Sequence, residues 1–174
     1  IVTGRRAFIK LSVMAAAVTV LAGVWLIGGR DEVRASASGP TPGNTNAPLE
    51  GNCTACHTSF PLDSGTGSVT ITGLPHDYLP GQQVQVTVTT AHEDAVIYGF
   101  QLTAIDRLGR AAGTFAVPQT MPQTTQIADT PIGGNTRFYV MHTIDGLFTN
   151  GVFGSNSWTF TWTAPAERVG KVDF

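Results

Sequence analysis

An antiparallel β-sandwich is what this sequence predicts, on three observations. From Gly67 onward apolar residues recur with period two, and helical spacing is absent. Turn signals separate these runs at short intervals. Among 174 residues there are 20 Gly and 10 Pro, and only 13% are charged, which excludes a coiled coil and a charged disordered tail. The length allows one domain plus appendages.

The strands follow in order. Val69 and Ile71 alternate with Ser68, Thr70 and Thr72, and Val84, Val86 and Val88 with Gln83, Gln85, Thr87 and Thr89. Each pattern predicts a half-buried strand. Tyr98, Phe100, Leu102 and Ala104 form a third set, and Trp158, Phe160 and Trp162 alternate with threonines as the clearest case. In the strand predicted over Arg137 to Thr143, Phe138, Val140 and His142 share one face, and Tyr139 and Met141 the other. Turns are marked by Leu79-Pro80-Gly81, Asp106 to Gly109, Gly133-Gly134-Asn135 and Asp145-Gly146. The acids Asp106, Asp129 and Asp145 stand at turns, where capping the backbone is their expected role.

Charge is uneven along the chain. Arg5, Arg6, Lys10, Arg30 and Arg34 are half of the ten bases, and the remainder carries five bases against ten acids. That acidic balance repels phosphate backbones and argues against nucleic acid as a partner. Arg5, Arg6 and Lys10 precede an uncharged run from Leu11 to Ile27, and Ala35-Ser36-Ala37 supplies small residues for cleavage. Residues 1–37 therefore read as a signal peptide, or as an N-terminal anchor, since 17 residues is near the minimum for a membrane span. Thr3 to Lys10 also resembles a twin-arginine export signal. Either route predicts an exported protein of the periplasm or cell surface, with membrane anchoring as one option. Residues 38–66 read as a linker, flexible from Ser38 to about Pro48 because SGPTPGNTNAP has nothing to bury. Starting at Ile1 and stopping at Phe174 inside a strand pattern, the chain reads as a fragment, with the sandwich over 67–174 truncated at its C-terminal side.

Both cysteines lie in Cys53-Thr54-Ala55-Cys56-His57, a CxxCH pattern. In covalent haem attachment two thiols add to the porphyrin vinyl groups, and the two-residue spacer lets both sulfurs reach one edge of the ring. His57 then ligates the iron. The expected cofactor is haem c, held by Cys53 and Cys56 with His57 as proximal iron ligand. A Cys53–Cys56 disulfide leaves His57 without a reason, a thioredoxin-like pair lacks its βαβ setting, and zinc needs more ligands than one CxxC supplies. For a second iron ligand the sequence offers His76, His92, His142, Met121 and Met141. His76 sits in a turn, His92 beside Glu93 and Asp94, and Met121 before a proline. His142 stands in a strand, as either a core histidine bonded to a carbonyl or a distal ligand. The tryptophan-rich strand is expected as core rather than cofactor wall.

Taken together, Gly73-Leu74-Pro75, Tyr78 to Gln82, Gly99-Phe100-Gln101-Leu102-Thr103-Ala104, Ala112 to Phe115, Tyr139-Val140-Met141-His142-Thr143 and Trp158 to Pro165 resemble the reeler domain in its bacterial choice-of-anchor V form. The resemblance spans about Gly67 to Phe174. It implies an immunoglobulin-like β-sandwich at the bacterial surface or in the periplasm, with a CxxCH segment before it. Its Tyr-Val-x-His-Thr block maps its histidine onto His142, which favours that residue as distal ligand. An arginine that commonly precedes the Gly-Phe-Gln block is missing at Ala95 to Tyr98. The family brings no settled catalytic activity. Two functions follow as expectations. One is a monohaem c-type cytochrome-like electron carrier or redox sensor, working with a redox partner protein. The other is a cell-surface binding or adhesion module in which Cys53 and Cys56 form a structural disulfide. An enzyme is not expected, because no nucleophile elbow or zinc helix motif is present.

Overall fold

The computed structural model of the protein describes residues 39–148 and 153–174. The expected signal segment, 1–37, lies outside the described residues. Among the described residues nine strands form an all-β sandwich of antiparallel sheets. They are β1 (Ser68–Thr72), β2 (Gln83–Ala91), β3 (Gln101–Thr103), β4 (Ile105–Asp106), β5 (Thr114–Ala116), β6 (Thr125–Ile132), β7 (Asn135–His142), β8 (Ser155–Thr163) and β9 (Val172–Asp173). One sheet has the order β1-β2-β8-β5, the second β3-β7-β6, and β4 pairs with β9. Among the described residues helix is limited to two single 3-10 turns, Cys53–Ala55 and Ile144–Gly146. Among the described residues no helix is long and apolar enough to cross a membrane.

The period-two pattern places the core. Val86 and Val88 of β2 stand opposite Phe160 and Trp158 of β8, and these side chains are buried against Tyr98, Phe100, Leu102 and Val140 from the other sheet. Burying this many aromatic rings supplies the main driving force, at about 25 cal/mol per Å² of apolar surface. The indole N–H groups still need acceptors inside. Trp158 Nε1 donates to the Gly146 carbonyl at 2.9 Å, and Trp162 Nε1 to that of Ala112 at 3.0 Å. The aromatic strand is thus core, as its pattern predicted. Between β6 and β7, Ile132 pairs with Asn135, so Gly133 and Gly134 form a two-residue hairpin turn. Both have positive φ, 56° and 84°, as the hairpin turn that matches strand twist requires. Asp106 takes the turn role expected of it, accepting from the amides of Leu108 and Arg110 at 2.9 Å each.

Two strands differ from expectation. All five residues of β1 are exposed, Val69 among them at 67%, because β1 is an edge strand that no second layer covers. In β7 the larger difference has a functional consequence. Arg137, Tyr139 and Met141 are as buried as Val140, although they point away from the sandwich core. What covers them is the segment read as a flexible linker. Gln101 Nε2 donates to the Thr41 carbonyl at 2.9 Å, and the Asn44 amide donates to Gln101 Oε1 at 2.8 Å. Residues 39–50 are thus fastened across the outer face of the second sheet. Short polar residues have little to bury, but they carry the backbone groups that this sheet face needs as partners.

Candidate functional site

The CxxCH segment folds as one capped turn. Asn52 Oδ1 accepts from the Thr54 amide at 3.0 Å and from its hydroxyl at 2.6 Å, which starts the turn. The Cys53 carbonyl then accepts from the amides of Cys56 at 3.3 Å and His57 at 2.8 Å. These two bonds close a single 3-10 turn over Cys53–Ala55, with Cys56 as its C-cap and His57 next in the chain. Both cysteines are free and exposed.

A buried ionic clasp fixes this turn to the sandwich. Arg137 Nη1 lies 2.6 Å from Glu50 Oε1, and neither side chain is more than 2% exposed. Tyr139 donates its hydroxyl to the same carboxylate oxygen at 2.8 Å, and Thr45 donates its hydroxyl to Oε2 at 2.7 Å. Arg137 also donates to the carbonyls of Gly109 and Pro48, at 2.9 Å each. Burial by itself raises the Glu50 pKa, but the bonds from Thr45, Arg137 and Tyr139 outweigh it and hold the carboxyl below its usual range. Tyr139 is pushed well above the usual tyrosine range by burial and by the neighbouring carboxylate. Glu50 stands three residues before Cys53, so the clasp sets where the turn sits.

His142 ends β7 beside this segment. Its Nδ1 lies 2.9 Å from the Phe100 amide nitrogen and 3.0 Å from the Phe100 carbonyl oxygen. Its ring occupies the space a side chain at Gly99 would need: a Cβ there would come within 2.8 Å of Nδ1 and 3.0 Å of Nε2. Burial pushes the imidazole below the usual histidine range; the bond to Phe100 opposes this, and charge on His57 adds to it. A lowered pKa keeps His142 neutral at pH 7, the form that binds metals. The Phe100 amide donates to Nδ1, which places the proton of the neutral ring on Nε2; the alternative tautomer, with Nδ1–H donating to the Phe100 carbonyl, is the one that frees the Nε2 lone pair for a ligand.

The remaining sequence-predicted ligands lie elsewhere. The His76 side chain is 99% exposed in its turn and bonds Asp77 at 3.1 Å. His92 accepts from the Asp94 amide at 3.1 Å and lies 3.4 Å from the Thr66 hydroxyl. Met121 is 95% exposed, and Met141 is sealed under residues 39–50 at 1%. Among the described residues no three His, Cys, Asp or Glu side chains converge as a metal cage would. What the sequence reading missed is Glu50, Arg137, Tyr139 and Gly99. An arginine flanked by aromatics in a strand was the available signal for the clasp, because such a base needs a buried acid.

The donor set can take a cofactor held by two sulfurs and one or two imidazoles. No protein-family model, no curated protein and no solved structure matches the chain.

Proposed function

We propose that this protein is an exported electron carrier or redox sensor bearing one covalent haem c on Cys53 and Cys56. The observation that carries the reading is the single capped turn that exposes both thiols of the CxxCH motif directly before His57. His57 is the proximal iron ligand and His142 the distal one. Bound haem supplies a one-electron iron couple.

The protein's own residues then do three things. Asn52 and the Cys53 carbonyl hold the CxxCH segment in one closed turn. The Glu50–Arg137 clasp holds that turn against the second sheet. Phe100 fixes the His142 ring through Nδ1, and to ligate iron through Nε2 the ring would take the tautomer whose Nδ1–H donates to the Phe100 carbonyl. Ligation by both His57 and His142 would leave no open iron position and would favour electron transfer over gas binding. Export rests on the basic, apolar and small-residue order of residues 1–37, and c-type haem is attached outside the cytoplasm. A reeler-like domain at the bacterial surface or in the periplasm, with a redox partner protein, completes the proposal.

The test is expression with a haem-maturation system, followed by an absorption spectrum and a haem stain on a denaturing gel. A red protein whose stain persists, and is lost in the Cys53→Ala, Cys56→Ala variant, is the expected result. A colourless protein with no added tetrapyrrole mass on the Cys53–His57 peptide overturns it.

A further inference from the structure

Of the five bases that follow Arg34, Arg137 and Arg110 are engaged by Glu50 and Asp106. The other three, Arg107, Arg168 and Lys171, line one groove of about 500 Å³ together with His76, Tyr78 and Phe174. Their clustering is notable on a body with twice as many acids as bases.

The groove is built from three fastened pieces. The Tyr78 hydroxyl accepts from the Val169 amide at 3.0 Å and donates to the Gly170 carbonyl at 3.1 Å, which clips the loop carrying Arg168 and Lys171 to the turn carrying His76. Asp106 caps the turn carrying Arg107. Pairing of β4 with β9 sets Asp106 opposite Val172, so their chain neighbours Arg107 and Lys171 are brought to the same end of that ladder. Trp162 packs edge-on against Tyr78 and Phe174 beneath, with ring centroids 5.8 and 5.0 Å away. All three bases are exposed, and among the described residues Arg107 and Arg168 have no ion-pair partner. The acids nearby are engaged, Asp77 with His76 and Asp173 with Lys171.

We propose that this groove binds a small ligand carrying two or more carboxylate or phosphate groups. Guanidinium forks take such groups in paired hydrogen bonds, and two of them on fixed turns lose little freedom on binding. Size follows from charge. Beyond a Debye length of about 8 Å at physiological salt the acidic body repels a long polyanion, whereas within the groove Arg107 and Arg168 are the cations left without an acid, Lys171 being matched by Asp173. The inference does not depend on haem.

Calorimetric titration of the full chain at low salt, with citrate in one arm and tripolyphosphate in the other, tests it. Binding of either at about 1 mM or tighter is expected, and which one binds distinguishes carboxylate from phosphate chemistry. Arg107→Gln and Arg168→Gln should each weaken it about tenfold, with Arg107→Lys recovering part of the loss. Raising salt tenfold should weaken the unaltered protein's binding by a similar factor, a reading that needs no variant. Neither ligand binding below about 10 mM, or binding that both glutamine substitutions and salt leave unchanged, overturns the proposal.

Discussion

Glu50 and Arg137 meet at 2.6 Å inside the protein, and this contact joins the CxxCH-bearing segment to the central strand of the second sheet. Removing two charges from water costs several kcal/mol per ion, which attraction alone does not always recover. Here every side offers a bond. Glu50 accepts from Arg137, Tyr139 and Thr45, and Arg137 reaches two backbone carbonyls besides. A half-satisfied version of this network would destabilise the fold, so the position of the turn depends on all of its members.

Replacing Arg137 with Met should therefore leave a carboxylate buried without its cation and cost about 3–5 kcal/mol. A urea titration reads this as a lower midpoint with an unchanged slope. Adding Glu50→Gln to Arg137→Met should return part of the loss, since the stranded charge is gone. A single-variant cost below about 1 kcal/mol would show that the clasp is not the anchor of the segment.

The same carboxylate sets a pH dependence. The Glu50 pKa in the folded protein is lowered, so its contribution is complete above the ordinary glutamate range and is lost as pH falls through the folded value. Asp106 is lowered too, its burial outweighed by bonds from Arg110 and Leu108, and adds to the same acid limb. Tyr139 acts at the other end: its pKa is raised, so stability declines as pH climbs past the ordinary tyrosine value of about 10. Unfolding free energy against pH should show a plateau between these limits, with the acid limb shallower in Glu50→Gln. An unchanged acid limb in that variant would remove Glu50 from the account.

Core substitutions test the layer that the strand pattern predicted. Phe160 is 1% exposed and packs with Phe100 and Phe115 at ring centroid distances of 6.1 and 5.8 Å. Phe160→Ala should cost about 3–5 kcal/mol through lost burial and the cavity left behind. By contrast Val69→Ala in the exposed edge strand should stay within about 0.5 kcal/mol. Thermal unfolding of both variants compares the two directly.

Much of this fold was legible because Val86, Val88, Trp158, Phe160 and Trp162 each alternate with a polar neighbour, and alternation is a local property. The turn at Gly133-Gly134 was legible for the same reason. Residues 39–50 were not, since Thr45 and Glu50 become informative only once a strand about 90 residues later supplies Arg137 and Tyr139. Likewise Cys53, Cys56 and His57 could be found by spacing, whereas the contact of the His142 ring with Phe100 exists only in three dimensions. The edge strand β1 misled because alternation states which residues share a face, without stating whether anything covers that face.

Gly99 offers the sharpest probe of the histidine pair. No side chain fits there while the His142 ring keeps its place, because a Cβ would press on its Cε1 edge and both nitrogens. Gly99→Ala should therefore turn the imidazole away from Phe100 and disturb the Nδ1 contact that fixes its orientation, at a cost of about 1–3 kcal/mol. In the haem-loaded protein the absorption spectrum should then shift toward that of His142→Ala, with a changed reduction potential, while Cys53 and Cys56 keep the haem attached on a denaturing gel. The stain and the spectrum separate two questions. If Gly99→Ala and His142→Ala both leave spectrum and potential as they were, His142 is a structural histidine and the iron takes its second ligand elsewhere.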